Sequence, residues 1–415
     1  SVITTGGTVT AGKWNSTNTG INVTVPLPND ATLIDGTLQI RANVASGGYE
    51  DLGSAQTISS GEQGTSKTVS FNAATFEAIS SGISDGESIL FTAIITDKAG
   101  NATTGTQSGT SIAFDQSVPA FSSLSPSSNS SVKVADVGYT LSEAIASGTV
   151  TYTRTSGTAD GSSPHTQSLS GGELSSGARS LAALSNAPTL VSGTTYEIAF
   201  NGVDASGNAA TEVSVTGIFF DTTVPADFTV GSVITTGGTV TAGKWNSTNT
   251  GINVTVPLPN DATLVDGTLL IRANVASGGY EDLGSAQTIS DGEQGTSKTV
   301  SFNAATFEAL SSGISDGESI LFTAILTDKA GNATTGTQSG TSIAFDQSVP
   351  AFSSLSPSSN SSVKVADVGY TLSEAIASGT VKYTRTGGTA DGSSPHTQSL
   401  SCLLYTSDAA DEFSC

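Results

Sequence analysis

Displaced by 231 positions, residues 1–170 match residues 232–401 everywhere except at Ile34/Val265, Gln39/Leu270, Ser60/Asp291, Ile79/Leu310, Ile95/Leu326, Thr151/Lys382 and Ser156/Gly387. Two copies this similar must fold alike, so the architecture has to be modular. A period of 231 residues is too long for one solenoid unit and suits a pair of small domains. A weaker internal match divides the period. Asp97-Lys98-Ala99-Gly100-Asn101 is followed by Phe114-Asp115-Gln116-Ser117-Val118-Pro119, and Asp204-Ala205-Ser206-Gly207-Asn208 by Phe220-Asp221-Thr222-Thr223-Val224-Pro225; the two blocks recur 107 and 106 residues apart. The expected order is a type A domain at 1–119, type B at 120–226, type A at 227–350 and a truncated type B at 351–401.

Agreement between the copies stops within one residue after Ser401. The string from Cys402 to Glu412 resembles a translated adapter from sequencing-library preparation, and residues 402–415 are read as read-through rather than native protein. Both cysteines of the chain, Cys402 and Cys415, fall there. The remainder then carries no disulfide and no thiol chemistry. The chain opens on Ser1 and has no Met, so the lack of a leader says nothing about localisation.

Period-2 alternation marks the strands. Ile21, Val23 and Val25 face one way; Leu38, Ile40, Ala42 and Val44 repeat the pattern, as do Tyr196, Ile198 and Phe200. Gly, Asn, Asp and Pro bound each run, as turns require. The only helical signal is a single turn near 73–79. Short alternating strands at this spacing predict an all-β chain of antiparallel sheets packed face to face, each with one wet side. The copy differences suit that reading: Gln39/Leu270 and Thr151/Lys382 fall on outward positions, while the Ile/Val and Ile/Leu exchanges conserve volume.

Only 12% of residues are charged, against about 25% in ordinary domains; Ser, Thr and 47 Gly cover the rest of the surface. The balance of 14 basic against 36 acidic residues gives −22, or −19 without the three acids of the tail. So few dispersed cations cannot neutralise a phosphate backbone, which excludes nucleic acid as a partner. No run of about 18 apolar residues occurs, so no membrane insertion is expected in this stretch.

Leu190-Val191-Ser192-Gly193-Thr194-Thr195-Tyr196 resembles the tyrosine corner of immunoglobulin-like and fibronectin-type sandwiches, in which a Tyr bonds back to the corner backbone. Type A has Ile83, Gly86 and Ile89 at those places, a corner without the hydroxyl. A strand ending in D-x-A/S-G-N and a last strand ending in F-D-x-x-V-P together resemble the Ig-like repeats of large bacterial surface adhesins. The resemblance spans residues 1–401 and rests on short motifs. It implies tandem Ig-like or fibronectin-like sandwiches arranged as a rod, extracellular, at the cell surface, and often held rigid by calcium at the domain junctions.

In that topology a linker Asp meets the D-x-x-G-N turn of the following domain. This pairs Asp115 with Asp204 and Asn208, and Asp221 with Asp328 and Asn332. Asp346 would pair with a turn beyond the truncation and Asp97 with a domain upstream of Ser1. Calcium wants six to eight oxygens, of which these residues supply a partial set. The alternative is a plain turn, with Asp capping and Gly-Asn supplying positive φ. Both readings stand at this point.

His165 and His396 are expected in exposed turns, since one His per period without Cys or clustered acids makes no metal site. Trp14 and Trp245 suit core packing better than sugar stacking. No catalytic cluster or nucleophile elbow occurs, so no enzyme is expected. The function expected is the repeat region of a secreted adhesin, a stalk or spacer whose unknown ligand is a host or neighbouring cell surface or a glycan. The alternatives are an array of glycan-binding modules using Trp14 and Tyr49, and spacer domains of a secreted enzyme.

Overall fold

A computed structural model describes residues 1–400; Ser401 and the adapter-like tail at 402–415 lie outside the described residues. The chain forms tandem β-sandwiches, the all-β class expected. Two compact bodies are distinguished, one of Ser1–Pro225 with Thr327–Ala333, the other of Ala226–Leu326 with the chain from Thr334 onward.

The first body opens with a sandwich of two sheets. One orders Val2–Thr5, Gly20–Pro26 and Ser66–Asn72; the other runs Lys13–Trp14, Ile112–Phe114, Ser88–Thr96, Thr37–Val44 and Tyr49–Asp51. Lys13–Trp14 pairs parallel with the last strand, while its neighbours pair antiparallel. Alternation survives intact in Thr37–Val44, where Leu38, Ile40, Ala42 and Val44 are buried and the residues between them half-buried. The expected helical turn is Ala73–Glu77, begun by Asn72, whose side chain accepts the Thr75 N–H at 2.8 Å. It drops Phe76 onto Trp14, ring centroids 4.6 Å apart, with both side chains at 0% exposure.

The second sandwich pairs a sheet of Phe121–Ser125, Val137–Leu141 and Gly177–Ala182 with one of Ser131–Val132, Val213–Phe220, Thr194–Val203, Ser147–Gly157 and His165–Ser168. Its core is a separate apolar cluster around Tyr139, Val150, Tyr152, Tyr196 and Phe200. The corner turn is held by the Gly193 N–H donating to Phe220 O at 2.8 Å with Gly193 at φ +79°. The type A corner uses the same device, Gly86 N–H to Phe114 O at 2.8 Å with φ +90°.

The second body repeats the first sandwich strand for strand, from Val233–Thr236 to Ile343–Phe345. Two further strand pairs follow, Phe352–Ser356 with Gly369–Leu372 and Thr380–Tyr383 with His396–Ser399. Val368 is 41% exposed there, whereas Val137, its counterpart in the other copy, is at 0%. Among the described residues no helix is long and apolar enough to cross a membrane.

Candidate junction site

Each D-x-x-G-N turn is built alike. In the turn at 204–208, Asp204 Oδ1 accepts the N–H groups of Ser206 (2.8 Å), Gly207 (2.7 Å) and Asn208 (2.9 Å). Its Oδ2 accepts from Asn208 Nδ2 at 2.8 Å, and Gly207 takes φ +96°. This is the turn chemistry anticipated for Asp and Gly-Asn. The turns at 97–101 and 328–332 keep the bonds from Asn101 to Asp97 and from Asn332 to Asp328.

What separates the turns is their surroundings. At 97–101 the turn is exposed, and Asn101, through its side-chain amide and then its backbone N–H, holds Asp97 below the usual carboxylate range. At 204–208 Asp204, Ser206 and Asn208 are buried within the first body, against the type A segment. Asn208 Nδ2 donates to Asp115 O (3.0 Å), Ser206 Oγ to Asp115 Oδ2 (2.8 Å) and Asn15 Nδ2 to Ser206 O (2.8 Å). The Ser16 N–H donates to Asn208 Oδ1 at 2.8 Å. The third turn meets its linker in the same way, Asn332 Nδ2 donating to Asp221 O at 2.9 Å.

Asp115 and Asp204 are joined by an acid that sequence reasoning missed. Glu143 follows the strand Val137–Leu141, and ligand oxygens of Asp115, Glu143 and Asp204 lie within 4.8 Å of one another. It is the one such group of three acids or other metal-binding side chains among the described residues. Burial, and after it the charges of Asp115, Asp204 and Asp85, push the Glu143 carboxyl up. Asp221 has a different environment: Oδ1 accepts from Ser192 Oγ (3.1 Å) and the Thr223 N–H (2.9 Å), while Oδ2 is buried without a hydrogen-bond partner. Asp346 caps its own loop through the Ser348 N–H at 3.2 Å.

One reading of a single residue is corrected. His165 is no exposed-turn histidine: its side chain is 12% exposed and Nε2 lies 2.7 Å from Asp160 Oδ2. The same oxygen accepts from Tyr196 OH at 2.7 Å, and the two bonds, Tyr196 first, hold Asp160 down at about 2. The corner bond of Tyr196 is present with the backbone as donor, Val191 N–H to Tyr196 OH at 3.0 Å, because the hydroxyl proton goes to Asp160. Trp14 and Trp245 are core residues, as expected, which leaves the sugar-stacking alternative no exposed ring. Both rings are fully buried, with Nε1 of Trp14 donating to Glu77 Oε1 and that of Trp245 to Glu308 Oε1, each at 3.1 Å. Tyr49 is half-buried, its hydroxyl donating to Gln107 Oε1 at 3.1 Å.

No family model matches the chain, and no curated protein matches it. Solved structures similar to it include a 1.5-MDa bacterial ice-binding adhesin, from a study of its retention at the host cell surface (TM-score 0.30, 15% identity, covering 81% of this chain and 95% of that one). The chicken CNTN1 FN1–FN3 domains align with TM-score 0.32 and 11% identity, covering 79% of this chain and 98% of theirs. Titin domains A168–A170 align with TM-score 0.34 and 10% identity, covering 78% and 94%.

Proposed function

We propose that the chain is a non-catalytic repeat region of a secreted bacterial surface adhesin, a stalk or spacer of sandwiches joined by stiffened junctions. The observation that carries this reading is the joint at Asn208, a buried side chain of type B bonded to both the linker and the entry loop of type A. Bonds of this kind resist bending, which a spacer needs and a flexible tether does not. The near-exact duplication fits the same purpose, since repeating a domain pair adds reach and no new chemistry. The ligand, a host or neighbouring cell surface or a glycan, then belongs to some other part of the protein. A glycan-binding array is disfavoured, because Trp14 offers no exposed face.

Calcium at the type A–type B joint is part of the proposal. Asp115, Glu143 and Asp204 would hold it, an all-oxygen donor set suited to a hard cation. The ion would supply positive charge where three carboxylates now face one another. The Asp221, Asp328 and Asn332 set fits less well, because it lacks a third carboxylate: among the described residues only Asp115, Glu143 and Asp204 bring three together.

Melting and small-angle scattering of the whole chain in calcium and in chelator test this. Calcium is expected to raise the melting temperature of the chain but not of its Glu143→Gln variant, the gain approaching ~2.7 kcal/mol at a hundredfold excess over Kd. Identical melting in both media removes calcium from the proposal. Scattering from a particle no longer than one globule of this mass removes the spacer.

A further inference from the structure

The turn at 328–332 belongs to the first body, and its joint with type B is framed as the type A–type B joint is. In each, a short strand pairs parallel with the last strand of the sandwich, Trp14 beside Phe114 and Val132 beside Phe220. The linker aspartate then bonds back to it, Asp115 N–H to Trp14 O and Asp221 N–H to Val132 O, both at 2.9 Å. Asn208 and Asn332 close onto those linkers alike. On this common frame the two joints differ in charge and in donors.

The residue after the short strand is Asn15 in type A and Lys133 in type B. Asn15 Nδ2 donates to Ser206 O at 2.8 Å, and Lys133 Nζ donates to Gly331 O at 2.6 Å. The neutral amide of one joint is an ammonium in the other, and a charged donor makes a bond about twice as strong as a neutral one. Within the turns, Ser206 has Ala330 as its counterpart. Ser206 Oγ donates to Asp115 Oδ2 at 2.8 Å, whereas Asp221 Oδ2 is buried without a hydrogen-bond partner. The acids differ too: Asp115 and Asp204 gather Glu143, and no other such group forms among the described residues. One joint concentrates negative charge; the other brings a positive charge of its own.

We infer that Lys133 is a tethered cation that closes the second joint, doing there what an ion from solution does at Asp115, Glu143 and Asp204. This rests on the reading of the chain as a spacer with stiff joints, and adds that its two kinds of joint obey different chemistry. The ammonium takes up the Gly331 carbonyl, an oxygen of the kind that calcium recruits from turns. Its charge repels a divalent ion approaching Asp221 and Asp328. Because Asp221 bonds to Val132, the neighbour of Lys133, the bare carboxylate oxygen and the ammonium flank the same turn. Loss of divalent ions then loosens the first joint and leaves the second closed, so the joints of the A–B–A order alternate in their response.

Backbone amide exchange at Asn208 and Asn332 reads both joints in the whole chain, because each N–H donates to Oδ1 of the aspartate of its own turn, at 2.9 and 2.8 Å. In the unaltered chain, chelator is expected to speed Asn208 and to leave Asn332 at its rate in calcium. Lys133→Met should speed Asn332 about fivefold, the loss of one hydrogen bond, without moving Asn208. Lys133→Arg should keep the slow rate. Lys133 is exposed, so both variants fold. Asn332 unmoved by Lys133→Met, or slowed by calcium in the unaltered chain, overturns the inference. Calcium without effect at Asn208, with Asn332 still speeded by Lys133→Met, strikes the ion from the first joint and upholds Lys133 at the second.

Discussion

The side-chain amide of Asn208 donates to the backbone carbonyl of Asp115 at 3.0 Å, although the two lie 93 residues apart. The oxygen of the same amide accepts the Ser16 N–H at 2.8 Å. One fully buried residue of type B therefore fixes both the exit and the entry loops of type A. Its counterpart Asn101 makes only the bonds inside its own turn.

That contrast gives a matched pair of variants. Asn208→Ala removes the partner of the Ser16 N–H and of Asp115 O in a part-buried place and the bond to Asp204 Oδ2 in a buried one, a combined loss of about 1–3 kcal/mol. Asn101→Ala removes the local turn bonds alone, in water, and should cost about 1 kcal/mol or less. Urea denaturation of the two variants, followed by a probe in the first body, checks the order. Equal losses would mean that the joint adds nothing to stability.

The corner of type B should carry an acid dependence of its own. Asp160 titrates at about 2 in the folded chain, against ~3.9 for an ordinary aspartate. Its folded value is depressed, so its stabilising contribution is complete above the unfolded value and fades as pH falls through the folded one. The window is roughly pH 4 down to pH 2. Melting of the chain should fall more steeply across that range than melting of Asp160→Asn. Parallel curves would assign the acid loss to other carboxylates.

Trp14 is a core residue, and its variants should behave accordingly. Trp14→Ala opens a cavity under Phe76 and Phe114 and is expected to cost ~3–5 kcal/mol. Trp14→Phe keeps most of the contacts and loses one bond to Glu77, which is exposed and still accepts from Gln116, so its cost should be smaller. Guanidinium unfolding measures both. A mild Trp14→Ala would contradict the packing described.

Much of this arrangement is legible in the sequence because its causes are local. Alternation at 38–44 is the pleat itself, and the D-x-x-G-N run at 204–208 writes out its own hydrogen bonds. The meeting of that turn with the preceding linker follows from sandwich topology, since the strands before and after it end at opposite poles. Glu143 was missed because it sits on neither motif; only folding brings the end of Val137–Leu141 beside Asp115. Asn15 gave no signal beyond a sequon that the Ser- and Thr-rich composition produces by chance. His165 was misjudged because Asp160, five residues away across a loop, is no recognisable spacing.

The distribution of distances between the type A and type B segments of the first body tests the stiff joint most directly. With Cys402 and Cys415 replaced by serine, spin labels attached through Ser60→Cys and Ser162→Cys report it by pulsed electron resonance. The account requires one narrow distance peak in calcium that broadens when Asn208→Ala is combined with chelator. A broad or multiple distribution in the otherwise unaltered chain with calcium present would contradict it.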